Sequence, residues 1–201
     1  MTYQNDDSRT MWFANWHSEE MYQFVRSQSL HTEDTGIQRL EVIETELYGR
    51  VMLLGGEIQI ASECDAPVHE AMVHPPLLTH DDPSDVLIIG GGDGGSTREA
   101  LKHDPDRVDV IEIDERVIDV SREYFPGFAS DLNDERVTVH IGDGRKFVRE
   151  TDRKYDAVIM DISDPRGPAK TVFTSEFYDE ATELMRPDAV LHTHCESPDS
   201  S

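Results

Sequence analysis

Lysine is scarce in this chain: four residues of 201, at positions 102, 146, 154 and 170. The 18 basic residues face 42 acids, so the formal charge is -24. Nucleic acid and anionic membrane surfaces are held by Lys/Arg patches, so neither is expected as a partner. A cationic substrate is compatible with this charge. Cysteine is limited to Cys64 and Cys195, too few for a disulfide framework. No apolar run approaches the ~18 residues of a membrane span. The opening Met1-Thr2-Tyr3-Gln4-Asn5-Asp6-Asp7 is polar and lacks a signal-peptide pattern, so a cytoplasmic location is expected. Most acids are read as surface coating. An acid-rich, Lys-poor surface fits a salt-rich cytosol, where at ~1 M salt the Debye length is only ~3 Å and self-repulsion is screened.

With 37% hydrophobic residues, the chain can build one good core and a small appended unit. Residues 38 to 61 read as a β-meander turning at Gly55-Gly56, whereas the first 30 or so residues show no clear period. The spacing from Val68 to Leu78 predicts a helix, with Pro75 and Pro76 expected to end or kink it. From Val86 onward strands and helices alternate. Strands are expected at 86–89, 108–113, 137–141, 155–160 and 189–192, with helices between them. The fold class is therefore α/β, a Rossmann-like, doubly wound parallel sheet of methyltransferase type, over residues 81–201. A small N-terminal β-strand unit with a linking helix, residues 1–80, precedes it. Such a sheet usually continues past a fifth strand, so its C-terminal part is expected to be missing.

Ligands of such sheets sit at the carboxyl ends of the strands. Gly90-Gly91-Gly92-Asp93-Gly94-Gly95, Glu112, Asp143 and Asp161 all fall there. The spacing G-x-G-x-x-G, with Glu112 about 20 residues on, formally matches a dinucleotide loop. Asp93 argues against one. Like charges about 4 Å apart repel by about 4 kcal/mol at an effective dielectric near 20, so a pyrophosphate beside Asp93 is disfavoured.

Asp161 and Asp164, in Asp161-Ile162-Ser163-Asp164-Pro165, lie three apart where the sheet opens. Hard oxygen ligands suit Mg²⁺, but no phosphate-binding loop accompanies them, and no metal is expected. An Asx turn before Pro165 is the plain alternative for Asp164. The pair also suits an amine nucleophile attacking carbon beside a sulfonium. An ammonium with a pKa near ~10.4 is neutral about once in 2,500 at pH 7, a penalty of roughly 4.6 kcal/mol. A carboxylate that holds the ammonium and accepts its proton offsets that penalty. Asp161 is the expected base, and Asp164 would hold the amine in line.

Together these motifs resemble the polyamine aminopropyltransferases, the spermidine synthase family. The carriers are Gly36-Ile37-Gln38, Tyr48-Gly49-Arg50-Val51, Ile58-Gln59, His69-Glu70, the glycine loop with Arg98-Glu99, Glu112-Ile113-Asp114, Gly142-Asp143-Gly144, Asp161 to Pro165 with Gly167-Pro168, and Cys195-Glu196-Ser197-Pro198. The resemblance implies decarboxylated S-adenosylmethionine as co-substrate, no prosthetic group, and a di- or polyamine acceptor. It implies that Gln38, Glu112, Asp143, Gly144 and Pro168 bind the nucleoside. His69, Asp93, Asp161 and Asp164 would line the aminopropyl and amine path, with Asp161 catalytic. A homo-oligomer, dimer or tetramer, is also implied. Asp93 would repel the carboxylate of ordinary S-adenosylmethionine and accept the ammonium of the decarboxylated form. The pattern departs at Gly55, Val68, Ile162 and His194, and the acceptor amine stays open.

Two other functions stay open on the residues alone. One is an S-adenosylmethionine-dependent small-molecule methyltransferase, which Glu112 and Asp143 would serve equally and Asp93 would not. The other is a non-catalytic nucleoside- or polyamine-binding protein.

Overall fold

The computed structural model describes residues 10–18, 21–64, 66–162 and 167–193. These divide at residue 65 into two compact units, each built on its own five-stranded sheet.

The first unit is an antiparallel meander of β1 (Thr10–Ser18), β2 (Met21–Asp34), β3 (Arg39–Thr45), β4 (Gly49–Leu54) and β5 (Glu57–Ala61), paired in chain order. Gly55 and Gly56, at φ +61° and +91°, make the β4–β5 turn that the sequence predicts. Strand β3 buries Leu40 and Val42 on one face and Ile43 on the other, where it packs with Val51 and Leu53. The long β1–β2 hairpin is absent from the sequence reading. Its register slips between Trp16 and Ser18, and β2 slips again against β3 between Ser29 and His31. Each irregularity breaks the two-residue alternation that would have announced a strand.

The second unit runs α1 (Ala66–Thr79), β6 (Asp85–Gly90), α2 (Gly95–Leu101), β7 (Arg107–Glu112), α3 (Glu115–Tyr124), α4 (Pro126–Ala129), β8 (Val137–Ile141), α5 (Gly144–Glu150), β9 (Tyr155–Asp161), α6 (Ser175–Glu183) and β10 (Met185–Thr193). The sheet order is β10-β9-β6-β7-β8, parallel throughout. Chain order reverses at β6, which opens a crevice between β6 and β9 at their carboxyl ends. Val86 and Ile88 face the side of α1 and α2, whereas Leu87 and Ile89 face Phe177 and Val148. All four are at most 2% exposed, as a parallel sheet covered on both faces requires.

Helix α1 does not end at Pro75-Pro76. A proline φ fits a helix, and only two ladder bonds are lost. Met72, Val73 and Leu77 bury themselves in the core, and the Thr79 hydroxyl donates to the Pro76 carbonyl at 2.8 Å. Nor do all the acids coat the surface. Asp109, fully buried on β7, accepts hydrogen bonds from Arg153 and Tyr155 and contacts His140 Nε2 at 2.9 Å. Arg186 donates to Asp85 and Asp156, both at 2.6 Å. These networks tie the amino ends of the strands, opposite the crevice.

Candidate functional site

The loop after β6 is shaped by what passes close to it. Gly90, Gly91 and Gly94 have φ of +86°, +72° and +89°, a region that side chains rarely adopt. A Cβ on Gly90 would lie 1.9 Å from the Asp161 carbonyl oxygen, which accepts the Gly91 N–H at 3.0 Å. The loop is thus laced to the end of β9, and Gly90 pairs with Asp161 in the sheet.

Glu112 ends β7 and is 7% exposed. Its two oxygens accept the N–H groups of Gly92 at 3.1 Å and Asp114 at 2.9 Å. A Cβ on Gly92 would meet Glu112 Oε2 at 2.7 Å, so the bare backbone is what lets this acid in. Burial pushes the Glu112 carboxyl up to about 7, the two N–H groups oppose this, and the nearby Asp114 and Asp93 add to it.

Asp93 is 8% exposed, and its Oδ1 accepts the Gly95 N–H at 2.6 Å. His69, on α1, is 2% exposed. A Cβ on Gly95 would stand 2.2 Å from His69 Cε1, so that glycine makes room for the ring. His69 Nε2 lies 3.6 Å from Asp93 Oδ1 and 3.9 Å from Asp161 Oδ2. Asp161 Oδ2 is buried and has no hydrogen-bond partner among the described residues. The structure therefore brings His69, Asp93 and Asp161 to one spot, with Glu112 bonded to the same loop. Such a cluster, two carboxylates around an imidazole, can hold an ammonium and take a proton from it.

The remaining predicted positions divide. Asp143 is the exposed N-cap of α5 and accepts the Lys146 N–H at 2.9 Å. Gly144 lies close on Ile89, where a Cβ would stand 2.7 Å from the Ile89 side chain. The end of β8 is tied to that of β7 by Gly142 N–H donating to the Glu112 carbonyl at 2.8 Å. Pro168 falls in a 3₁₀ turn, Gly167–Val172. Asp164 lies outside the described residues. Gln38 belongs to the first unit, where its backbone N–H donates to Thr35 Oγ1 at 3.2 Å.

Two features escaped the sequence reading. Ile113 and Ile141 stay 37% and 50% exposed just after Glu112 and just before Gly142, apolar surface beside the predicted nucleoside residues. Strand patterning hides them, because an isoleucine at a strand end looks like core. The second is a network around the buried Glu99 on α2. Glu99 binds Arg98 at 2.8 Å and Lys102 at 2.5 Å, with His74 Nε2 at 3.2 Å.

Residues 65–200 match the spermine/spermidine synthase domain, and residues 11–62 match the spermidine synthase tetramerisation domain. The chain belongs to the spermidine synthase family. A polyamine aminopropyltransferase of Methanocaldococcus jannaschii is 38% identical over 98% of this chain and 68% of the relative's length. Another, from a Thermoanaerobacter species, is 42% identical over 94% of this chain and 69% of its own length. Among solved structures, a spermidine synthase in complex with the transition state analogue AdoDATO aligns with a TM-score of 0.86 at 31% identity. The spermidine synthase of Thermotoga maritima aligns at 0.81 and 29%. Both alignments cover 90% of this chain but only 63% and 61% of the solved ones, so the chain spans less than two thirds of those family members. The small antiparallel sheet followed by a parallel α/β sheet is the family's fold. No helix among the described residues is long and apolar enough to cross a membrane.

Proposed function

We propose that this chain transfers an aminopropyl group from decarboxylated S-adenosylmethionine to a di- or polyamine and releases methylthioadenosine. The observation that carries the reading is the convergence of the buried Asp93 and His69 with the half-buried Asp161 at the glycine loop. Family membership supports the same chemistry, since the named relatives are polyamine aminopropyltransferases.

In this reading Asp161, helped by Asp164, holds the acceptor ammonium and takes its proton. The freed nitrogen lone pair attacks the carbon next to the sulfonium. The C–S bond breaks as the C–N bond forms, its electron pair stays on sulfur, and a neutral thioether leaves. Asp93 and His69 line the path of the aminopropyl group, with Asp93 receiving its terminal ammonium. Glu112 accepts from the ribose hydroxyls and Asp143 from the adenine amino group, while Gly144 and Pro168 complete the nucleoside site. Ile113 and Ile141 offer apolar surface to a flat base. No metal or prosthetic group takes part. The match of residues 11–62 to a tetramerisation domain supports a homo-oligomer, and a cytoplasmic location belongs to the same reading.

Asp93 weighs against a methyltransferase, because the carboxylate of ordinary S-adenosylmethionine would face it at a cost of about 4 kcal/mol at 4 Å. The test is mass spectrometry of products from decarboxylated S-adenosylmethionine with an equimolar mix of putrescine, cadaverine, agmatine and spermidine. An aminopropylated amine is expected, and Asp161→Asn should lower its rate by about 10²–10⁴ while methylthioadenosine still binds. Binding of methylthioadenosine with no product from any amine would leave a non-catalytic binding protein instead.

A further inference from the structure

The three side chains at the glycine loop carry the donor set of a metal site as well as that of an ammonium cradle. His69 Nε2, a carboxylate oxygen of Asp93 and one of Asp161 all lie within 4.8 Å of one another. The two separations from His69, 3.6 and 3.9 Å, are too long for hydrogen bonds. Two ligand atoms on a tetrahedral zinc ion stand about 3.4 Å apart, so the two distances from His69 need to close by only a few tenths of an ångström, at roughly that spacing. The two carboxylate oxygens, within 4.8 Å of each other, draw together around the ion by side-chain rotation. Asp161 Oδ2, buried and without a hydrogen-bond partner among the described residues, is an acceptor in search of a cation.

We propose that His69, Asp93 and Asp161 together bind a divalent first-row transition ion such as Zn²⁺ or Co²⁺, which keeps the cationic substrate out. One imidazole with two carboxylates selects this class, whereas Mg²⁺ and Ca²⁺ favour oxygen alone. The two carboxylate charges neutralise the ion without another partner. A second set, Glu70, His74 and Glu99, has similar spacing but fails on charge. Arg98 and Lys102 already occupy Glu99 and would repel an ion there. With the ion bound, Asp161 has its oxygen coordinated and cannot take the amine proton, so the complex is a dead end. This inhibitory part rests on the function proposed above, and the binding part does not.

The experiment titrates the metal-free full chain with Zn²⁺ by calorimetry, with visible absorption of Co²⁺ as a second measure. One ion per chain is expected. Asp161→Asn, which conserves size, and His69→Ala should each weaken binding by about tenfold or more. His74→Ala, which dismantles the second set, should leave it unchanged. Circular dichroism checks each fold, and if His69→Ala fails to fold, Asp161→Asn decides alone. Absence of saturable binding, or binding indifferent to Asp161→Asn, overturns the site. Putrescine should raise the apparent Kd for Zn²⁺, and EDTA should restore transfer that Zn²⁺ suppresses. Zn²⁺ held by the trio in a chain that transfers nothing under metal-free conditions would defeat the proposed function and leave the metal site standing. Transfer that Zn²⁺ neither binds nor slows would do the reverse.

Discussion

A carboxylate at 8% exposure inside a glycine loop is costly to keep, and Asp93 offsets part of that cost by accepting the Gly95 N–H. Its charge is then available to a substrate ammonium. Asp93→Asn should weaken use of the decarboxylated donor by about 10- to 100-fold, the worth of one charged hydrogen bond. Methylthioadenosine carries no ammonium, so its binding should change little, and equal losses in calorimetry would contradict the role. Glu112 makes a pH prediction. Its carboxyl is raised from 4.5 to about 7 by burial, so the fold retains this proton longer than the unfolded chain does. The stability this confers is full below pH 4.5 and is lost as pH rises through 7. Denaturant unfolding of the ligand-free chain should show a downward slope across that window, on the order of 3 kcal/mol in total. Glu112→Gln should flatten the slope, even though an amide cannot accept both backbone N–H groups and lowers stability throughout.

At the scale of elements, the site is a matter of close approach: β6 against β9 through Gly90, the loop against β7 through Gly92, and α1 against α2 through Gly95. The glycine run and the acids at strand ends were legible, because parallel strands read as apolar runs and their carboxyl ends are where ligands bind. That His69 would reach Gly95 was not legible, since helix–helix contact depends on packing that a single segment does not encode. Gly95 opens α2 without positive φ, so Gly95→Ala introduces no backbone strain of its own. The same methyl would collide with the His69 ring. The expected result is a variant with a melting temperature lowered by this overpacking, which costs about 1–3 kcal/mol, and a transfer rate lower by about 10²-fold, as for a substrate-lining group displaced by about 1 Å. A fully active variant would show that His69 placement does not matter. The prolines of α1 teach the converse lesson. Local propensity predicted an end or a kink at Pro75-Pro76, and the helix runs on to Thr79 because burial of Leu77 at 2% exposure outweighs the lost ladder bonds.

Over the whole molecule the governing quantity is a charge of -24. Many of the acids are exposed, and they repel one another across the surface unless salt screens them. The melting temperature should climb between dilute buffer and about 1 M salt, because a Debye length near 3 Å removes most of that repulsion. A chain that stays folded and monodisperse in dilute buffer, with no response to salt, would count against adaptation to a salt-rich cytosol. Buried contacts such as Asp109 with Tyr155 should be nearly blind to salt, which separates the surface term from the structural one.

The sequence by itself determined the parallel sheet, the glycine loop with the acids at the strand ends, and the family resemblance. These follow from local patterns: apolar runs, glycine spacing and the sign of side-chain charge. Only the tertiary structure decided that His69 meets Asp93 and Asp161, that Glu112 is held by Gly92, and that β1 and β2 pair as a hairpin. Each of those depends on chain segments far apart in sequence, or on bulges that erase the local period, and so no window of residues could have carried it.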